Sequence, residues 1–179
     1  MLLNYGELFR TLFMKISDLP PVPEPLKAQY ASLVADVDRL IARLSGRLHR
    51  FIRCAPGCSS CCRIFNVFAI EGALIAEAAA AVPAASGVDY TCPLLQADRC
   101  SIYPRRPLIC RTQGLPIGYV DESLEQIEVS ACPLNFAEDH PFTHEDLLLL
   151  DPFNARLAEL NEEYCRAIGI DEGTRVPLG

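Results

Sequence analysis

Four thiols stand within nine residues in Cys54-Ala-Pro-Gly-Cys58-Ser-Ser-Cys61-Cys62, and Cys92, Cys100, Cys110 and Cys132 follow at wider intervals. Zinc and the irons of iron–sulfur centres both favour four thiolate ligands in a roughly tetrahedral array. Clustered thiols in a chain without secretory features point to metal rather than to disulfides. The odd total of nine cysteines would also leave any all-disulfide scheme with an unpaired thiol. The expected chemistry is chelation of zinc or iron, as ions or as an iron–sulfur cluster, by all eight clustered cysteines. Cys165 lies outside the cluster, beside Tyr164 in a helical pattern, and is expected to be a small core residue.

A helical turn over Gly57 to Arg63 would set Cys58, Cys61 and Cys62 on one side at i, i+3 and i+4, with Cys54 swinging in from before the turn. Neighbouring Cys61 and Cys62 are harder to seat on one ion, because successive helical side chains diverge by about 100°. Either the pair serves two centres, or one of the two is a packed thiol. Eight thiols are arithmetically enough for two four-sulfur centres or for one polynuclear cluster. The later cysteines sit at predicted element ends, where irregular backbone can offer amide donors to sulfur.

Two divalent ions on eight thiolates carry about −4, which needs compensation once buried. Arg53, Arg63, Arg99, Arg105, Arg106 and Arg111 all lie within a few positions of a cluster cysteine, and are expected to donate to sulfur. The three histidines, His49, His140 and His144, are expected to be structural or exposed; Pro141 interrupts the i, i+4 pair. Glu71 either sits near the site or is simply a first-turn glutamate favoured by the helix dipole. Tyr103 either donates to a thiolate or packs between Ile102 and Pro104. No serine–histidine–acid or paired-carboxylate pattern is visible. Hydrolytic zinc sites favour His and carboxylate ligands with a bound water, so eight thiols speak against one.

The positioning elements can be read from periodicity. Leu26, Tyr30, Leu33, Val37, Leu40, Ile41, Leu44 and Leu48 form a stripe that predicts a long helix over about 25–50, delivering the chain to Cys54. A second, alanine-rich helix is expected over 70–82, stopped by Pro83. Residues 92–103 read as a short hairpin around Ala97-Asp98. Pro104 to Arg111 suits one helical turn, and 115–120 with 126–131 suits two strands joined at Asp121-Glu122-Ser123. Thr143 with Asp146 resembles a capping box. Asp151-Pro152 opens a last helix with Phe153, Leu157, Leu160, Tyr164 and Ile168 buried and Gly169 as its C-terminal stop. Leu2, Tyr5, Leu8, Phe9, Leu12, Phe13 and Ile16 predict a helix before the proline-rich segment 18–25.

The string Cys54-x-x-x-Cys58-x-x-Cys61-Cys62-Arg63, then Glu71, then Cys92-Pro-Leu-Leu and Cys100-Ser-Ile-Tyr-Pro-Arg-Arg-Pro-Leu-Ile-Cys110-Arg111, resembles the YkgJ-type cysteine-cluster family. That resemblance covers about residues 50–135. It implies a zinc- or iron-chelating domain, in a group also described as iron–sulfur-cluster-containing. Similarity to the cysteine region of flagellin lysine N-methylases implies a link to protein methylation. The chain is short for such an enzyme, however, and lacks a glycine-rich S-adenosylmethionine loop.

The chain has 179 residues, half of them apolar, enough for a hydrophobic core without disulfide help. Its net charge of −7 and lack of a basic stripe argue against nucleic acid as a partner. No apolar run approaches the roughly 18 residues of a membrane span. A cytoplasmic protein without a signal peptide is expected. The fold class expected is mainly α with small irregular β elements, a helical shell around a cysteine-rich loop core. Residues 1–24 would be a helix and proline-rich linker, and 25–179 one metal-binding domain. Its partners would be metal ions and a protein engaged by the acidic exterior. A metal-dependent enzyme with an open coordination position is the alternative.

Overall fold

The computed structural model describes residues 14–79, 90–121 and 126–178. Helix α1, Glu24–Arg47, follows the predicted stripe. Pro25 sits in its first turn, with Glu24 at the positive end of the dipole and Arg47 at the negative end. Leu33 and Val37 are wholly buried and Leu26 and Leu44 nearly so, each burial contributing about 1.5–3 kcal/mol. Helix α2, Ala69–Ala79, matches the alanine-rich segment; the predicted continuation to Pro83 lies outside the described residues. So does the N-terminal stripe from Leu2 to Phe13, beyond which Ile16–Asp18 form a single 3-10 turn.

Helix α3 is one turn, Leu108–Arg111, preceded by a 3-10 turn at Tyr103–Arg105. Helix α4 runs Asp151–Ile168 and ends at Gly169, whose φ of 75° is left-handed as expected. Its start is one residue earlier than predicted. Asp151 is already helical, Leu150 precedes it without a side-chain cap, and Pro152 is the second residue of the helix. Asp151 therefore favours the helix through its charge in the first turn and caps nothing.

Seven short strands complete the chain among the described residues. β1 (Asn66–Phe68) pairs antiparallel with β7 (Arg175–Pro177). β2 (Leu95–Gln96) and β3 (Arg99–Cys100) form the expected hairpin, with Ala97 and Asp98 both at positive φ. That is the backbone of a two-residue primed turn, which suits the twist of the paired strands. β4 (Ile117–Asp121) lies between antiparallel β5 (Gln126–Ser130) and parallel β6 (Leu148–Leu149). The turn joining β4 to β5 lies outside the described residues.

The main core lies where α1, α2 and α4 meet, around Leu33, Val37, Ile70, Leu157 and Tyr164, with Val176 of β7 sealing it. Cys165 is buried there, as expected. Its one buried amide, Asn161, accepts the Ile70 N–H at the start of α2 and donates to the Glu172 carbonyl. A polar side chain is tolerated at this depth because both its ends are paired. A second, smaller core of Leu44, Leu115, Ile117, Leu148 and Leu150 ties the three-stranded sheet to the C-terminal end of α1. Beside it the Thr143–Asp146 pair closes a 3-10 turn at His144–Asp146. Asp146 accepts from the Thr143 hydroxyl and amide and from Arg47, which together hold its carboxyl at about 2. The fold is thus helical with small sheets, and no helix among the described residues is long and apolar enough to cross a membrane.

Candidate metal centre

The segment 54–63 is not the helical turn that the spacing suggested. It is two successive tight turns, closed by Cys58 N–H to the Ala55 carbonyl and Cys62 N–H to the Ser59 carbonyl, both at 2.9 Å. Pro56 and Gly57 dictate the first: proline fixes the first corner, and Gly57 takes φ of 99° at the second. The Arg63 N–H then bonds back to the Cys61 carbonyl at 3.0 Å, a tight bend centred on Cys62, and Arg63 forms a β-bridge with Thr91. The adjacent Cys61 and Cys62 thiols stay close enough to hydrogen-bond each other. The Cys62 carbonyl accepts the Cys92 N–H at 3.1 Å, so Cys62 and Cys92 lie side by side. Ser59 Oγ donates to Asp98 at 2.9 Å, pinning this loop to the β2–β3 hairpin that carries Cys100.

All eight cluster cysteines are free thiols, and they form two groups of neighbours joined at the adjacent pair Cys61 and Cys62. Burial raises the Cys61 pKa, and its thiol neighbours Cys54, Cys58 and Cys132 raise it further. Cys62 is pushed up to about 11 by burial, then by Cys61, Cys100 and Cys92. Cys110 rises to about 12 through burial, with Cys92, Cys100, Glu71 and Cys62 adding to the effect. Cys92 is raised by burial and by Cys100. Cys54 and Cys58 are exposed, whereas Cys92, Cys100 and Cys110 are half-buried against the main core.

Asn135, which no sequence pattern singled out, organises the first neighbourhood. Its side-chain oxygen accepts the Arg53 N–H at 2.9 Å, and its backbone N–H donates to the Cys132 carbonyl at 2.9 Å. Its amide nitrogen donates to the Gly114 carbonyl at 2.6 Å and lies 3.4 Å from Cys54 Sγ. Asn135 thus joins Cys54, through its side chain, to Cys132, through its backbone, across 77 intervening positions, and offers an N–H to sulfur. Gly114 completes the fit: a Cβ there would lie 2.7 Å from Cys54 Sγ, and its φ of 95° disfavours any other residue. Outer donors of this kind typically matter 10–100-fold in metal affinity. Asn135→Ala is expected to weaken metal binding by about that factor at the Cys54 side alone, read by chelator competition against the unaltered chain.

Glu71 is buried rather than a solvated first-turn carboxylate. It accepts the Leu108 N–H at 2.7 Å and the Tyr30 hydroxyl at 3.1 Å, so it holds the start of α3 and with it Cys110. Burial raises its pKa, opposed by these donors. Its i, i+3 and i+4 environment could not be inferred without knowing that α3 packs on α2. The arginines also differ from expectation. Arg111 is buried, forks both oxygens of Asp38 at 2.9 and 3.0 Å and donates to the Pro104 carbonyl. Arg106 stacks over the Tyr103 ring at 3.8 Å. Arg53, Arg63, Arg99 and Arg105 are exposed, and among the described residues no arginine hydrogen-bonds a sulfur. A guanidinium finds stronger partners in carboxylate and carbonyl oxygen than in a neutral thiol. Of the histidines, His140 packs edge-on among Phe51, Phe136 and Phe142, and His49 donates to the Gly46 carbonyl.

The donor set, eight unpaired thiols in two neighbourhoods, is chemically suited to zinc or iron. As thiols they are not drawn together: no three His, Cys, Asp or Glu side chains among the described residues are arranged to hold an ion. Residues 53–133 match the family model CxxCxxCC, described as a putative zinc- or iron-chelating domain. No curated protein and no solved structure matches the chain. This chain spaces its first two cysteines by three residues where the family's name has two, and the added residue lies in the Pro56-Gly57 turn. The segment that carries all eight clustered cysteines is a domain of the CxxCxxCC family, the cysteine-cluster family that the motif resembles.

Proposed function

We propose that this domain holds zinc or iron in two separate four-thiolate sets. The first is Cys54, Cys58, Cys61 and Cys132; the second is Cys62, Cys92, Cys100 and Cys110. The reading is supported by the hydrogen bonds that gather each set: Asn135 joins Cys54 to Cys132, and the Cys62 carbonyl takes the Cys92 N–H, while the adjacent thiols Cys61 and Cys62 adjoin where the two sets meet. Metal draws four neighbouring sulfurs inward once their protons leave, because bonds of about 2.3 Å demand it. The cysteine loops then form a sulfur-lined core flanked by the helices.

The two sets have different roles in this reading. Cys54 and Cys58 are exposed, so the first set can exchange metal or electrons with a partner in the cytoplasm. In the second set Cys92, Cys100 and Cys110 are packed on the main core, which suits a structural site. Metal analysis combined with thiol counting during chelation tests this. Metal should leave in two phases, four thiols becoming reactive with each. Simultaneous release of all eight would point instead to one polynuclear cluster, and eight thiols reactive from the outset would end the metal reading.

A further inference from the structure

Phe51, Phe136, His140 and Phe142 meet beside the first thiol set. The His140 ring centroid lies 4.6 Å from that of Phe51, 5.2 Å from Phe136 and 4.6 Å from Phe142. Phe136 lies 5.1 Å from Phe142 and 6.0 Å from Phe51. Tilted and edge-on ring pairs at such distances attract beyond the area they bury. The two sides of the cluster have separate footings. Phe51 belongs to the turn that ends α1, where its N–H donates to the carbonyl of buried Leu48 at 2.9 Å. The other three rings follow Cys132, in a segment folded back on itself. There the Asn135 and Phe136 N–H groups both donate to the Cys132 carbonyl at 2.9 Å, and the His140 N–H donates to the Ala137 carbonyl at 3.0 Å. Phe51 stands three residues before Cys54, and Phe136 four after Cys132. All four rings lie outside the matched segment 53–133.

We infer that this cluster is a clamp for the first thiol set: it fastens the segment behind Cys132 to the end of α1, and so sets how long metal stays on Cys54 and Cys132. Its link to that set rests on the two-set reading, whereas the clamp itself is built without metal. His140 is a positioning residue in it, acting through its ring and not as a ligand. The Arg53 N–H, bonded to the Asn135 side chain, crosses the joint between the two footings. Its exchange with solvent requires the joint to open. Cys92, Cys100 and Cys110 rest on the main core instead and should not feel the clamp.

Two measurements on the full chain test it, with His140→Ala and His140→Phe. After chelation, amide exchange at Arg53 should quicken about tenfold in His140→Ala, while the Leu33 and Val37 amides of α1 exchange as before. Loaded with zinc and challenged with chelator, His140→Ala should release its rapid phase about tenfold faster and its slow phase unchanged. His140→Phe keeps a ring and should match the parent in both. Phe51→Ala removes the opposite footing and should act as His140→Ala does. Unchanged exchange or unchanged release in His140→Ala overturns the clamp, as does equal quickening at Leu33 and Val37, which marks general destabilisation. A His140→Phe chain that behaves like the alanine variant also overturns it, because the imidazole nitrogens would then be what matters. A single phase of release from the parent counts against the two-set reading alone; the clamp then requires His140→Ala to hasten that one phase.

Discussion

Stripping metal from the chain is expected to loosen the cysteine-bearing loops while the helices stay in place. Among the described residues between α1 and β4 the backbone has few regular hydrogen bonds outside α2, and the thiol loops are stitched mainly by tight turns and single bridges. Four thiolates on a structural zinc are worth about 10–16 kcal/mol at pH 7 in small domains, more than those turns can supply. The core around Leu33, Ile70 and Tyr164 needs no sulfur, apart from its rim. Hydrogen exchange should therefore rise sharply over residues 53–64 and 90–114 after chelation, with helical circular dichroism largely retained. Full protection of these loops without metal would contradict it.

The same thiols give opposite pH dependence with and without metal. An unfolded cysteine titrates near 8.5, and burial lifts Cys62 to about 11 and Cys110 to about 12 in the fold. In the metal-free chain these neutral thiols favour folding below pH about 8.5, and that contribution is lost as pH rises through 11 and 12. With metal bound the ligands must be deprotonated. Acid then competes for sulfur, and melting temperature should fall as pH is lowered. Two melting series, one after chelation, read the reversal directly.

Glu71→Ala should produce the largest loss of stability outside the cysteines. It strands the buried Leu108 N–H and the partly buried Tyr30 hydroxyl, and unsatisfied buried groups cost about 1–3 kcal/mol each. Denaturant unfolding should therefore show a loss of about 2–6 kcal/mol, with weakened metal at the Cys110 side, because α3 loses its anchor. Glu71→Gln keeps an acceptor oxygen and should recover most of both. A Glu71→Ala chain as stable as the parent would show that Leu108 and Tyr30 find other partners.

The long elements were legible because their periodicity extends over several turns. Leu26 to Leu44 and Leu157 to Tyr164 repeat at three and four, and their burial follows. Ala97-Asp98 was legible as a turn because alternation breaks there. The Pro56-Gly57 dipeptide carries a turn in its own residue types, whereas the i, i+3, i+4 spacing of Cys58, Cys61 and Cys62, which would suit a helical turn, also occurs in non-helical chain. Asn135 and Glu71 were hidden for another reason: each acts through partners far away in sequence. The arginines near cysteine are likewise neighbours in sequence only, since Arg111 reaches back to Asp38 on α1. Pairing of β1 with β7 spans more than a hundred residues, and three-residue strands carry too little pattern to announce it.

Metal content of the Cys61→Ser and Cys62→Ser chains is the most direct measurement. Each variant should keep half the metal of the parent chain, the first losing the readily chelated half and the second the slowly chelated half, and the double variant should keep none. Loss of all metal from either single variant would contradict two independent four-thiolate sets, as would full retention in either.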